Sequence, residues 1–127
     1  MIDIDHFKQI NDRYGHGTGD TVLKTLAALL ERRLRQSDHI GRLGGEEFGF
    51  ILPDSSLEQA YEITEQLREQ FSELNHFSDG IHFQCSFSAG IACSTNHPEV
   101  LSLLEAADNN LYIAKQAGRN QTVSGAE

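Results

Sequence analysis

The chain has 127 residues, of which 39% are hydrophobic and 23% charged, and a formal net charge of −9 at pH 7. That is the size and composition of one globular domain with its own core. The acidic balance argues against DNA or RNA as a partner, since such binding relies on Lys and Arg to neutralise phosphates. No apolar run is long enough to span a bilayer, and the N-terminus carries no signal-peptide pattern.

In chain order, Met1–Ile4 reads as the stub of a strand. A central strand normally needs about five residues, so upstream structure is expected in a longer parent chain. A short helix is expected over Phe7–Tyr14. A Gly-rich turn follows (Gly15, Gly17, Gly19), and Asp20 is expected to open a long helix that runs to Leu34. Val22, Leu23, Leu26, Ala27, Leu30 and Leu34 keep helical spacing along it. His39–Leu43 and Glu47–Leu52 flank Gly44-Gly45 and suggest a hairpin. The next helix begins after Ser55, which with Glu58 has the pattern of a capping box. Its stripe is Leu57, Ala60, Ile63, Leu67, Phe71 and Leu74.

Phe83, Cys85, Phe87, Ala89, Ile91 and Cys93 alternate with smaller or polar residues, as one half-buried strand should. Cys85 and Cys93 match no zinc spacing and read as buried free thiols in a reducing compartment. A last helix runs from near Pro98 to near Gly118, with Val100, Leu104, Ala107, Leu111 and Ala114 as its stripe. Gln121–Val123 completes the set as a short strand, and Ser124–Glu127 reads as a frayed tail. Interleaved strands and helices predict a central mixed sheet flanked by helices.

The residues with chemistry fall into four groups. Asp3 ends a strand, while Glu46 and Glu47 sit in a hairpin whose glycines let a bulky ligand approach the backbone. If those strands are neighbours, Asp3 and Glu46 meet at one sheet end and repel unless a cation or a proton intervenes. Hard oxygen ligands suit Mg²⁺ or Mn²⁺. Taken singly, each of these residues reads better as a solvated turn residue. Lys8, Asn11, His16 and Asp20 form a second, polar group, in which Asp and Asn could read a guanine. Lys115 and Arg119, four apart at a helix end, fit either the helix dipole or a grip on phosphates. Arg35 and Asp38 could pair with each other, or hold a guanine and a phosphate together.

These segments together resemble the GGDEF family of diguanylate cyclases. The residues that carry the resemblance are Asp3-Ile4-Asp5-His6-Phe7-Lys8-Gln9-Ile10-Asn11-Asp12, Gly15-His16-Gly17-Thr18-Gly19-Asp20, Arg42-Leu43-Gly44-Gly45-Glu46-Glu47-Phe48 and Ser86-Phe87-Ser88-Ala89-Gly90. Ala107-Asp108, Leu111-Tyr112, Ala114-Lys115 and Gly118-Arg119-Asn120 complete them. All stand in family order across almost the whole chain. Glu46 stands where the family name has Asp, and Asn109-Asn110 replaces a segment where a small residue is usual.

The resemblance implies an α/β (α+β) fold with a mixed, mainly antiparallel sheet of the nucleotide-cyclase, ferredoxin-like type. It implies a catalytic domain over residues 1–124 that lacks the family's first helix and most of its first strand, with 125–127 as tail. Asp3, the Ile4 carbonyl and Glu46 would hold Mg²⁺ or Mn²⁺, and Glu46 or Glu47 would deprotonate a 3′-hydroxyl. Asn11 and Asp20 would read guanine with His16 nearby. Lys8, Gly45, Lys115 and Arg119 would hold the rest of GTP. Arg35 and Asp38 match the family's inhibitory site for the product, cyclic di-GMP. The expected activity is condensation of two GTP molecules in a two-fold homodimer, with a cytoplasmic location, no nucleic acid partner and no direct membrane contact. The rival readings are a nucleotide-binding module without catalysis and a cyclase that closes a ring on one nucleotide.

Overall fold

The computed structural model describes residues 1–125; Ala126 and Glu127, part of the expected frayed tail, lie outside the described residues. In chain order the elements are β1 (Ile2–Ile4), α1 (Phe7–Tyr14), α2 (His16–Arg33), β2 (His39–Gly44), β3 (Glu47–Ile51), α3 (Leu57–Glu73), β4 (His76–Ser78), β5 (Ile81–Phe83), β6 (Phe87–Gly90), α4 (Val100–Gln116) and β7 (Thr122–Val123). The main sheet has the order β2-β3-β1-β6-β7. Every pairing in it is antiparallel except β6 with β7, which is parallel. The expected mixed, mainly antiparallel sheet is therefore present.

The two faces of the sheet differ. Alternation along a strand sends Ile2 and Ile4 to one face and Asp3 to the other. Asp3 lies opposite Glu47 on β3 and Ser88 on β6. The apolar face, made of Ile2, Ile4, Phe48, Phe87 and Ala89, packs against Val22, Leu26 and Leu30 of α2 and Leu67 and Phe71 of α3. The face that carries Asp3 is covered by α4. Gly90 makes that approach possible, because a Cβ there would stand 2.2 Å from both the Ala107 carbonyl oxygen and the Leu111 nitrogen.

Several elements depart from expectation. Helix α2 starts at His16, four residues before Asp20. The Gly-rich segment is its first turn, and Gly19 lets Asn11 pack closely, since a Cβ would lie 1.8 Å from Asn11 Oδ1. The capping box is formed by Ser56 and Gln59, one residue later than the expected Ser55 and Glu58. The long strand expected across Phe83–Cys93 is broken. Phe83 ends β5, which pairs with β4 in a separate hairpin. At the other end, the N–H groups of Asn96 and His97 both bond the Cys93 carbonyl and turn the chain away. Tyr14 stacks on Phe83 at 4.1 Å between ring centroids, which fastens this hairpin to α1. Both cysteines are free but only half-buried.

The stripe of α4 is buried only in its C-terminal half. Ala107, Leu111 and Ala114 pack on the sheet, whereas Val100 is 71% and Leu104 50% exposed. Between this end of α4 and β2–β3 the sheet face stays open as a groove of about 570 Å³, lined by Leu43, Ile51 and Leu103 among others. None of the helices among the described residues is long and apolar enough to cross a membrane.

Candidate active site

The candidate site lies where the end of β1 meets the β2–β3 turn. Gly44 and Gly45 have φ of 154° and 49°, and Arg42 Nε donates to the Gly45 carbonyl at 2.9 Å, bracing the turn. The Ile4 N–H reaches the Glu46 carbonyl at 3.3 Å. Asp3 and Glu47 are register partners, so their side chains leave the same face a few ångströms apart. The expected neighbour of Asp3 is Glu46; the register partner is Glu47, with Glu46 one residue earlier in the turn and near enough to push the Asp3 carboxyl up.

Asp3 is buried and α4 answers its charge. Lys115 Nζ lies 2.5 Å from Asp3 Oδ2. Burial pushes the Asp3 carboxyl above its ordinary range; the Lys115 ammonium pulls it down, and the nearby Glu46 and Glu47 push it up again. The net shift is upward, so one ammonium does not compensate burial among three acids. Among the described residues no three Asp, Glu, His or Cys side chains converge on one point. The expected donor set needs only two carboxylates and the Ile4 carbonyl. An all-oxygen set of this charge, already drawing an ammonium, fits a hard divalent cation.

The other expected residues stand on the elements that follow β1 and α4. Lys8 and Asn11 stand on α1, His16 and Asp20 on the first turns of α2. Lys8, His16 and Asp20 are exposed. Asn11 Oδ1 is buried with no hydrogen-bond partner. Arg119 follows the end of α4 and is exposed.

Arg35 and Asp38 lie apart, between α2 and β2. They form a tight pair: Arg35 Nη2 donates to Asp38 Oδ1 at 3.0 Å and the Arg35 N–H to Oδ2 at 2.7 Å. The same Nη2 also reaches the Pro53 carbonyl at 2.9 Å. Burial alone would raise the Asp38 carboxyl, but these Arg35 donors hold it below the usual range.

The fold shows one structure-bearing group that the sequence reading left without a role. Asp5, in the motif but unassigned, is buried and accepts from Ser86 Oγ at 2.7 Å and Ser88 Oγ at 2.6 Å. Its signal was the alternation of Asp3 with Asp5 and of Ser86 with Ser88. Asn110 is likewise accommodated, its Nδ2 donating to the Ile91 carbonyl at 2.8 Å. Burial, helped by Asp5, pushes the Cys85 thiol up to about 12, which disfavours the thiolate.

The family profile described as "Diguanylate cyclase, GGDEF domain" matches residues 1–121. The chain belongs to the GGDEF family. It is 44% identical over 121 residues to the diguanylate cyclase DgcP of Pseudomonas aeruginosa, a match covering 95% of this chain and 18% of that protein. Among solved structures, it superposes on the active GGEEF domain of a diguanylate cyclase from Vibrio cholerae with a TM-score of 0.90 at 35% identity, covering 99% of this chain and 80% of the other. The GGDEF domain of DgcB from Caulobacter crescentus, solved in complex with c-di-GMP, gives 0.89 at 33% identity, covering 97% and 74%. The chain thus spans a small part of the length of the curated relatives it matches.

Proposed function

We propose that this GGDEF domain condenses two GTP molecules into cyclic di-GMP with release of two pyrophosphates, in a two-fold pair of domains. The observation that carries the reading is the Asp3–Glu47 register at the glycine turn, with the Lys115 ammonium already on Asp3. Asp3, the Ile4 carbonyl and Glu46 would hold Mg²⁺ or Mn²⁺. When bound, such an ion neutralises phosphate charge and lowers the cost of ionising the 3′-hydroxyl.

The chain's own groups do the rest. Asp20 on α2 accepts from the N–H donors of a guanine edge while Asn11 on α1 serves the other edge, with His16 on the first turn of α2. Lys8, Gly45, Lys115 and Arg119 hold the phosphates as cations or as open backbone. Glu46 or Glu47 accepts the proton of the attacking 3′-hydroxyl. That oxygen then bonds the α-phosphorus of the second GTP, and the bond from that phosphorus to the bridging oxygen breaks with pyrophosphate leaving. One domain holds one GTP, so a symmetric pair lets both bonds form. Arg35 and Asp38 would bind the product and hold domains in an arrangement where the active sites do not face each other. The setting would be the cytoplasm, where GTP is found.

Incubation with GTP and Mg²⁺, followed by chromatographic identification of products, tests this. Cyclic di-GMP is the expected product. A one-nucleotide ring, or GTP binding without turnover, would replace this reading with one of its rivals.

A further inference from the structure

Arg119 sits in strained backbone. It and Asn120 both have left-handed φ values, 66° and 49°, directly after Gly118 at 116°. Two successive residues with side chains hold this conformation only where the surroundings over-determine it. Here the restraints can be named. The Arg119 N–H donates to the Ala114 carbonyl at 3.0 Å. The Arg119 carbonyl accepts from Gln121 Nε2 at 3.2 Å. The Asn120 N–H donates to Asp5 Oδ2 at 3.0 Å, and Asn120 Oδ1 accepts from Arg68 Nη1 at 2.8 Å.

Asp5 is the buried side chain among these anchors. It is 5% exposed, and a carboxylate buried this far needs donors. It has three, the hydroxyls of Ser86 and Ser88 and the N–H of Asn120. Its own N–H donates to the Ser86 carbonyl at 2.9 Å. One side chain therefore joins the end of β1, the entry to β6 and the turn that carries Arg119. The proposed reaction gives it no contact with substrate.

The geometry points to Asp5 as a positioning residue: its carboxylate pins the Arg119–Asn120 turn to the end of β1 and so sets where the Arg119 guanidinium stands relative to Asp3 and Glu46. This rests on the reading that Arg119 grips the phosphates of a nucleotide. Placement matters because a shift of about 1 Å in a positioning group can cost on the order of a hundredfold in rate.

The test is a double-mutant cycle on nucleotide affinity. The probe is a GTP analogue with a methylene bridge between its α- and β-phosphates, which cannot lose pyrophosphate. Guanosine is the phosphate-free control. Calorimetry is run on wild type, Asp5→Ala, Arg119→Ala and the double variant, each checked for folding by circular dichroism. Asp5→Asn, which keeps the size of the side chain, replaces Asp5→Ala if the latter does not fold. The Asp5 variant and Arg119→Ala should each weaken the analogue by about tenfold. Guanosine affinity should hold, and the double variant should lose no more than Arg119→Ala alone. Losses that multiply, equal loss of guanosine, or an Asp5 variant that binds the analogue like wild type would each overturn the assignment. If Arg119→Ala alone leaves analogue affinity unchanged, the phosphate-gripping role of Arg119 fails, and the positioning role goes with it.

Discussion

Two acid–base pairs in this domain sit in opposite electrostatic states. At the end of β1, Lys115 faces a buried Asp3 whose carboxyl is nonetheless raised, by burial first and then by Glu46 and Glu47. In the α2–β2 connection, Arg35 faces an equally sheltered Asp38, whose carboxyl is lowered. The contrast comes from the donors around each acid. Asp38 takes side-chain and backbone donors from one residue, with no rival acid among the influences on it. Asp3 has one ammonium and two acidic neighbours. The Arg35–Asp38 pair is locally complete, while the Lys115–Asp3 pair holds more negative charge than its own residues neutralise. A charge deficit of that kind is a reason to look there for a cation and polyphosphate.

The sharpest way to break the comparison is to remove the surplus charge. Asp3→Asn and Glu46→Gln should each lower turnover by about a hundredfold or more while the domain stays folded, as read by product chromatography and circular dichroism. In cation-free buffer, Asp3→Asn should melt no lower than wild type. Added Mg²⁺ should raise the melting point of wild type and leave that of the variant unmoved. Near wild-type turnover in either variant would remove these residues from the site.

Base choice should show the next largest effect. Asp20→Ala should weaken GTP binding by about tenfold, as expected for loss of a charged hydrogen bond, with GTP preferred to ATP in the unmutated protein. Equal affinity for the two nucleotides would count against guanine reading by Asn11 and Asp20. At the complete pair, Arg35→Ala should weaken cyclic di-GMP by a similar or smaller factor in calorimetry and leave GTP affinity alone. Unchanged product affinity would reduce Arg35 and Asp38 to a structural pair.

The smallest effect is in pH dependence, and there the two acids should have opposite signs. A raised folded pKa means that the charged Asp3 costs stability at neutral pH. The stability advantage of Asp3→Asn over wild type should shrink as pH falls through the raised Asp3 value, and vanish near the unfolded one. A lowered folded pKa means that Asp38 contributes stability at neutral pH. Its advantage over Asp38→Asn should persist through that range and disappear only as pH falls below the ordinary carboxylate region. Urea midpoints measured across pH decide both, and parallel curves would erase the distinction.

Much of this was legible in the residues. Helix α3 and the β2–β3 hairpin follow from apolar spacing and from the Gly44-Gly45 pair, and the approach of Asp3 to the hairpin glutamates follows once β1 lies beside β3. What was illegible depended on partners far along the chain. The alternation from Phe83 to Cys93 looks like one strand. Only the stacking of Tyr14 on Phe83 and the turn after Cys93 divide it. The glycines before Asp20 look like a turn until Asn11 is seen packed against Gly19. Asp5 alternates with Asp3 as Ser86 does with Ser88, but nothing local joins the two segments, because its three donors come from residues 86, 88 and 120.

The contact of Gly90 with Ala107 and Leu111 also has a mechanical meaning. Backbone rests on backbone there, so α4 has a fulcrum rather than a cushion. Lys115 lies one helical turn beyond it, on the arm of the lever. Any side chain at position 90, even a methyl, would lift the helix and swing the ammonium away from Asp3. The reach of a cation is thus calibrated by a residue that has no side chain to offer.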